Sequence, residues 1–323
     1  MDRVAAKGLC FSRSGWNAEF SFDVAQGSWV SLVGPSGAGK TTLLELMAGF
    51  ERAETGGLFF GRENILEKPV HKRLLAYVFQ QNALFPSLTA FDNLLLALHD
   101  SDLSRADKRD SVLRMAKRVG MGHRLSHKPG ELSGGELARM NLARALLRPA
   151  KMLLLDEPFA ALDTALRREM NGLVRELHGE KSLTTFCVTH HPEDAFLFAD
   201  HVMVFARGKI VAQGTPDELA KAPPSAEVAS ILDAGNVVSE RDGDFYVRHS
   251  QLTCEKNLAR SFQDAREVVF QNWKFAHTGD GTVVVCLDSG RSYVLSSPHL
   301  FEGKLYFDAS SAVKFQKSAT VVW

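Results

Sequence analysis

Nine consecutive residues constrain this chain more than any others. Gly34-Pro35-Ser36-Gly37-Ala38-Gly39-Lys40-Thr41-Thr42 fit the spacing G-x-x-x-x-G-K-[ST], in which bare backbone N–H groups cradle a nucleotide's phosphates. The motif needs a strand before it and a helix after it. Trp29–Val33 reads as a short buried strand, and Leu43–Ala48 as a helix stopped at Gly49. The glycines let the backbone approach an anion, and the N–H groups at the new helix's start point at it. In that setting Lys40 reaches the β- and γ-phosphates and the Thr41 hydroxyl ligates Mg²⁺. A glycine-rich turn without a ligand would not need the Lys-Thr-Thr that follows.

The chain has 323 residues, enough for one large domain and a smaller one. Lys plus Arg and Asp plus Glu both number 38, so nothing in the net charge signals a nucleic-acid binder or a general affinity for acidic membranes. Cys10, Cys187, Cys254 and Cys286 lie far apart with no C-x-x-C pair, which argues against a zinc site or a disulfide framework. No stretch reads as a signal peptide or approaches the ~20 apolar residues that cross a bilayer. The expectation is a soluble, cytoplasmic protein; action at a membrane would need another chain to span it.

Residues 1–33 read as two or three strands, with Glu19–Val24 alternating at period two. Phe11 and Trp16 flank that strand, and either could stack on an adenine face. Gly56–Gly61 reads as turn, strand, turn, and Leu75–Phe79 as a buried strand that delivers Gln80. Residues 87–128 are richer in helix, with apolar helical spacing over Asn93–His99 and Lys108–Val119. Ser133 with Glu136 three residues on is a capping box, and the Gly134-Gly135 pair inside it suits a second place where an anion meets bare N–H groups. Met152–Leu155 is a fully buried strand that ends in two carboxylates, Asp156 and Glu157, at the edge where ligands of open α/β sheets bind. A Mg²⁺ on Asp156 and a water on Glu157 give that repelling pair a purpose. Ala160–Asp163 opens the next helix. Thr184–Thr189 is another strand, running into His190-His191; a metal on both is discounted, since neighbouring side chains on an extended chain point opposite ways. Val202–Phe205 and Lys209–Ala212 read as a closing hairpin. Ala222–Ser225 marks a boundary, a short helix runs to Leu232, and from Asn236 short alternating strands suggest a small β-rich domain.

Taken in order, the phosphate loop, Gln80, Leu132–Glu136, Asp156-Glu157, Leu162-Asp163 and His190 resemble the ATP-binding-cassette ATPases over roughly residues 4–220. The resemblance implies an α/β P-loop cassette with a mixed sheet and a helical subdomain (about 87–145) within residues 1–222. A linker over 223–235 and a β-rich regulatory domain over 236–323, weakly similar to oligonucleotide/oligosaccharide-barrel tails, complete the expected organisation. It implies that Gly34, Pro35, Ser36, Gly37, Ala38, Gly39, Lys40, Thr41 and Thr42 bind ATP. Thr41, Gln80 and Asp156 would serve Mg²⁺; Glu157 would be the general base, Gln80 would also contact the attacking water, and His190 would contact the γ-phosphate and orient that water. Asp163 would line an interface between two cassettes, across which Ser133 and Gly135 of one subunit cap the γ-phosphate on the other. The implied partners are a second ATPase subunit, a membrane permease received over Leu84–Leu98 and, indirectly, a solute-binding protein; the implied place is the inner face of the cell membrane.

Within that family the chain most resembles bacterial importer subunits for thiamine, ferric iron and polyamines. It departs from the family pattern in three places. Glu136 stands where the signature usually ends in Gln, an added negative charge expected to weaken closure on a triphosphate. His191 stands where Asp usually follows the histidine, and the usual adenine-stacking tyrosine is absent. Two other readings compete with an importer ATPase: a soluble cassette ATPase of DNA repair or translation, and a cassette that binds ATP with little turnover. Lys40 and Ser133 stand 93 positions apart, which leaves no room for the coiled-coil arm of the former.

Overall fold

The computed structural model describes residues 3–80, 83–160 and 162–232 in full, and beyond them the backbone of eight strands between residues 235 and 315. The chain divides into two compact units, 1–216 and 217–323.

In the first unit the strands are β1 (Arg3–Arg13), β2 (Trp16–Ala25), β3 (Trp29–Val33), β4 (Thr55–Phe60), β5 (Glu63–Asn64), β6 (Leu75–Val78), β7 (Met152–Asp156), β8 (Thr184–Val188), β9 (His201–Ala206) and β10 (Lys209–Gly214). The helices are α1 (Lys40–Ala48), α2 (Ala90–Leu96), α3 (Arg105–Arg118), α4 (Gly134–Leu147), α5 (Thr164–Lys181) and α6 (Pro192–Phe198). The strands form one mixed sheet in the order β5-β4-β1-β2-β10-β9-β3-β8-β7-β6. Its β9-β3-β8-β7-β6 half is parallel, as crossover helices require, while β1 pairs antiparallel with β2 across a short turn and with β4 on its other side.

Strand period two sorts the parallel half into two cores. Val30, Leu32, Met152, Leu154, Phe186, Val188, Met203 and Phe205 face α1 and the antiparallel strands. Trp29, Leu153, Leu155 and Cys187 face the other way, onto α5 and the helical layer of α2, α3 and α4. β3, β7 and β8 are buried along their whole length, which is why they read as unbroken apolar runs. β2, with one face solvated, alternates as expected. Each fully buried Leu or Val contributes roughly 1.5–3 kcal/mol, so both cores hold the strand ends firmly.

Three boundaries differ from the sequence expectation. Gly56 and Gly57 lie inside β4 rather than in a turn. A Cβ on Gly56 would stand 2.2 Å from the Gly8 carbonyl, so the glycine is needed for β4 to pair with β1 across an irregular register. α2 starts at Ala90, capped by the Thr89 hydroxyl, three residues before the apolar spacing. α3 starts at Arg105 with Ser104 as its cap. Cys10 and Cys187 are free thiols, while Cys254 lies outside the described residues.

In the second unit two short helices, Pro216–Lys221 and Ala226–Leu232, precede the strands. Gly235–Glu240 pairs antiparallel with Gly243–Arg248, which also pairs with Val313–Phe315. Ala265–Val269 pairs with Lys304–Asp308, and Trp273–Thr278, Gly281–Cys286 and Ser292–Leu295 form a third small sheet. Among the described residues no helix is long and apolar enough to cross a membrane.

Candidate active site

The parallel strands β3, β7 and β8 end side by side, and each hands its next residues to one cleft. β3 runs into the glycine loop. Gly34 has φ +149°, and a Cβ there would lie 2.3 Å from the Phe205 carbonyl, so the loop can settle onto β9 only with glycine at this place. α1 then starts at Lys40, its first N–H groups free of intrahelical partners. The cleft, about 520 Å³, is lined by Trp16, Ser36, Gly37, Gly39, Lys40, Thr41, Thr42, Gln80, Glu157 and His190. Residues 121 positions apart in the chain are brought to one place by the shared strand edge: Ser36 by β3 and Glu157 by β7.

The Lys40 ammonium donates to the Gly34 and Pro35 carbonyls at 2.7 and 2.8 Å. Burial pulls its pKa down, against the attraction of Glu157 and Asp156. The Thr41 hydroxyl donates to Asp156 Oδ1 at 2.9 Å, and the Tyr77 hydroxyl to Oδ2 at 3.3 Å. Burial pushes the Asp156 carboxyl up, and those two hydroxyls oppose it by favouring the charged form. Thr41 and Asp156 therefore offer adjacent hard oxygen donors at the loop's exit. Among the described residues no group of three or more His, Cys, Asp or Glu is placed to hold a metal. That donor set suits Mg²⁺, which takes one or two side-chain oxygens and draws the rest of its shell from phosphates and water.

Glu157 follows β7 with φ +48°, a left-handed backbone that sequence reasoning did not foresee. Its carboxylate is held from both sides: Gln80 Nε2 donates to Oε2 at 3.0 Å, and His190 Nε2 meets Oε1. Behind it, Arg167 and Asp194 form a buried pair at 2.9 Å, with Glu193 on the same guanidinium at 3.3 Å. His191 turns away from the cleft, and its Nδ1 lies 3.4 Å from Glu193.

Of the two aromatics offered for a base, Trp16 is half-buried and lines the cleft. Phe11 does not fit that part: it is 6% exposed, sealed into the core between sheet and α1, with only its edge against Trp16. The register explains this: Phe11 pairs with Ala18 and Arg13 with Trp16, so both rings lie on one face of the hairpin, Phe11 nearer the core and Trp16 at the turn, where it keeps access to solvent.

Ser133 and Gly135 do not line this cleft. Ser133 caps α4, its hydroxyl accepting from the Glu136 N–H at 3.3 Å while Glu136 Oε2 accepts from the Ser133 N–H at 2.9 Å, so the expected capping box forms. Ser133 and Gly134 are exposed. Glu136 Oε1 receives Arg124 Nε at 2.8 Å, a partner that sequence reasoning missed. The Ser133 N–H and hydroxyl, and then Arg124, hold the Glu136 carboxyl down at about 2, so it is ionised and its charge is matched. Arg124 sits in a short turn twelve residues upstream, where no periodicity could have linked it to the helix.

Comparison with known proteins adds to this geometry. A family profile described as "ABC transporter" matches residues 18–160. The chain is 41% identical over 241 residues to a sulfate/thiosulfate import ATP-binding protein, CysA 2, of Agrobacterium fabrum, covering 72% of this chain and 70% of that one. It is 39% identical over 223 residues to a Fe(3+) ions import ATP-binding protein of the same organism, covering 68% and 62%. It is 36% identical over 220 residues to a spermidine/putrescine import ATP-binding protein of Mycoplasma mycoides, covering 68% and 63%. The matched part thus spans under two thirds of the last two relatives' length. Among solved structures, the ATP-binding cassette MJ0796, a dimer bound to ADP and Pi, superimposes with TM-score 0.60 at 25% identity over 66% of this chain and 98% of that one. The cassette MJ1267 shares the fold, with TM-score 0.62 at 24% identity over 72% and 99%.

Proposed function

The chain belongs to the ATP-binding subunits of ABC transporters, and from that premise we propose that it hydrolyses ATP to drive import of a small solute through a separate permease. The observation that carries the reading is the Glu157 carboxylate, gripped by Gln80 and His190 at the rim of the phosphate-loop cleft. In this reading residues 34–42 bind the triphosphate, Lys40 exchanging its two carbonyl partners for phosphate oxygens. Thr41 and Asp156, with Gln80, would hold Mg²⁺, which when bound neutralises charge on the β- and γ-phosphates. Glu157 takes a proton from a water while that water's oxygen bonds to the γ-phosphorus and the bond to the β-bridging oxygen breaks, releasing ADP. His190 donates to the γ-phosphate oxygens and steadies Glu157 through the bond already formed. Catalysis of this kind is mostly positioning and charge stabilisation, and the two-sided grip on Glu157 supplies positioning.

The cleft holds the loop and Glu157 but not Ser133 or Gly135, whose capped helix start faces solvent. We infer a second copy of this chain whose Ser133 and Gly135 complete the site, with Asp163, the cap of α5, at the contact. The permease is assigned to an apolar groove of about 380 Å³ lined by Phe50, Tyr77, Phe79, Phe85 and Leu96, with Arg144 at its edge. Its far wall is the expected Leu84–Leu98 segment, and five exposed apolar side chains in one groove, Phe50, Val70, Phe79, Phe85 and Leu96, favour a helix of the permease as occupant. In this reading the chain works at the cytoplasmic face of the membrane. The relatives' solutes include an anion and cations, so the choice of solute is assigned to the permease and its binding protein. The strands of residues 236–323 are proposed as a regulatory barrel-like domain.

The test is phosphate release by the purified protein reconstituted with its permease. Wild-type turnover, its loss by 10²-fold or more in Glu157→Gln, and an ATP-trapped dimer of that variant are the expected results. No wild-type turnover would favour the binding-only reading. Recovery with DNA or ribosomes and no membrane subunit would sink the importer.

A further inference from the structure

One side chain belongs to both the apolar groove and the nucleotide cleft. Tyr77 is the third residue of β6, where period two turns its ring to the same side as Leu75, toward the phosphate-loop helix. The ring forms part of the groove lining, 4.4 Å between centroids from Phe79 and 5.5 Å from Phe50, while those two stack on each other at 5.4 Å. Phe50 and Phe79 are 48% and 40% exposed, so whatever enters the groove rests on this three-ring cluster. The opposite end of Tyr77 points inward, where its hydroxyl donates to Asp156 Oδ2 at 3.3 Å. The other oxygen of the same carboxylate takes the Thr41 hydroxyl at 2.9 Å.

We propose that Tyr77 is a positioning residue for Asp156, and that it makes this carboxylate responsive to what occupies the groove. Two hydroxyls, one on each oxygen, fix the carboxylate's rotation so that its Oδ1 edge stays at the Thr41 hydroxyl. With Tyr77 gone, only Thr41 orders it, and a cation bound there must first arrest the rotation. The Tyr77 bond is also long: at 3.3 Å it lies near the end of the useful range, so a ring displacement of half an ångström decides whether it exists. Pressure on Phe50 and Phe79 can supply that displacement, because packed rings move together rather than compress. The groove is thereby read at the site through a single rigid lever, without a moving backbone. This rests on the assignment of Asp156 and Thr41 to Mg²⁺ made above.

The test is a double-mutant cycle on the full chain, without permease, following the Mg²⁺ dependence of binding of a fluorescent ADP analogue. Tyr77→Phe keeps the ring and deletes the hydroxyl. It is expected to raise the Mg²⁺ concentration for half-maximal effect by about 3- to 10-fold, with Mg²⁺-free affinity unchanged, which also certifies the fold. Phe79→Ala, at the exposed end of the cluster, is expected to shift the same curve in the wild type and to leave it unmoved in the Tyr77→Phe background. A Tyr77→Phe curve that overlays wild type overturns the proposal, as does a Phe79→Ala shift of equal size in both backgrounds. A wild type whose nucleotide affinity ignores Mg²⁺ overturns the metal assignment as well, and so is told apart from a failure of the lever alone.

Discussion

Arg73 is the side chain whose removal should be felt furthest from where it sits. It is 8% exposed and meets no carboxylate among its bonds; instead its guanidinium caps the end of the phosphate-loop helix. Nη1 donates to the Leu46 and Met47 carbonyls at 2.9 and 3.0 Å, Nε to Lys68 at 3.1 Å and Nη2 to Leu66 at 3.5 Å. Leu46 O also receives the Gly49 N–H, so the Met47 carbonyl is the group that loses its partner outright. Hydrogen bonds from a charged donor contribute about 1.5–3 kcal/mol each, and a cation at a helix C-terminus adds up to about 1 kcal/mol. Burial, which also pulls the guanidinium's pKa down, costs part of this back. The net loss for Arg73→Met is therefore about 3 kcal/mol. For a unit of this size each kcal/mol moves Tm by about 2–4 °C, which sets the expected drop at about 6–12 °C. The assay is thermal unfolding by circular dichroism, following the transition that added ATP raises. Arg73→Lys, whose ammonium can reach one or two of the four carbonyls, should fall about half as far. A drop below 2 °C, or Lys and Met variants falling equally, would refute the capping account.

Two further expectations concern the base and the pH response. Trp16→Ala should weaken ATP binding about 10-fold, since stacking on an aromatic contributes roughly 1–3 kcal/mol, whereas Phe11→Leu should leave the affinity within twofold; a fluorescence titration that ranks them the other way would restore Phe11 as the stacking ring. His178 is buried, with Nδ1 2.9 Å from the Thr185 hydroxyl. Burial first, and the Arg175 charge second, hold its pKa below the ordinary 6.5. The folded state thus keeps this imidazole neutral while the unfolded chain protonates it, so its share of stability is present above about pH 6.5 and is lost as pH falls through the folded value. Urea midpoints at pH 7.5 and 5.5 should differ more for wild type than for His178→Gln, and equal differences would remove His178 from the account.

What the sequence made legible follows from how far apart the interacting residues lie. The phosphate loop and the capping box at Ser133 are local patterns, and each forms as its spacing implies, while the helix expected to open over Ala160–Asp163 starts at Thr164 with Asp163 as its cap. The period-two strands were equally readable, because one exposed face leaves a mark on the sequence. The start of α2 was not readable. Asn93 is fully buried and ties the Phe85 N–H and carbonyl and the Thr89 carbonyl, so a polar residue does the work of the apolar one that the helix pattern expects. The first turn of α3 is wholly exposed and carries no apolar signal at all. At the site, Asp156 and Glu157 announced themselves by position at a strand end, whereas Gln80 stood out only through the resemblance. Tyr77, Arg73 and Arg124 did not, because each acts through a partner that only the folded sheet or turn brings near. Phe11 was misjudged for the same reason, since which of two neighbouring rings is covered depends on α1 closing over the sheet.

The Arg124–Glu136 pair joins the short turn at Gly122–Arg124 to the start of α4. An anion arriving at the exposed Ser133-Gly134-Gly135 backbone would meet a carboxylate already bonded to the Ser133 N–H and hydroxyl, with the Arg124 guanidinium on its other oxygen. What stands at that helix start is therefore an ion pair and not a lone negative charge, so the acid at 136 carries its own counter-charge into any contact that α4 makes.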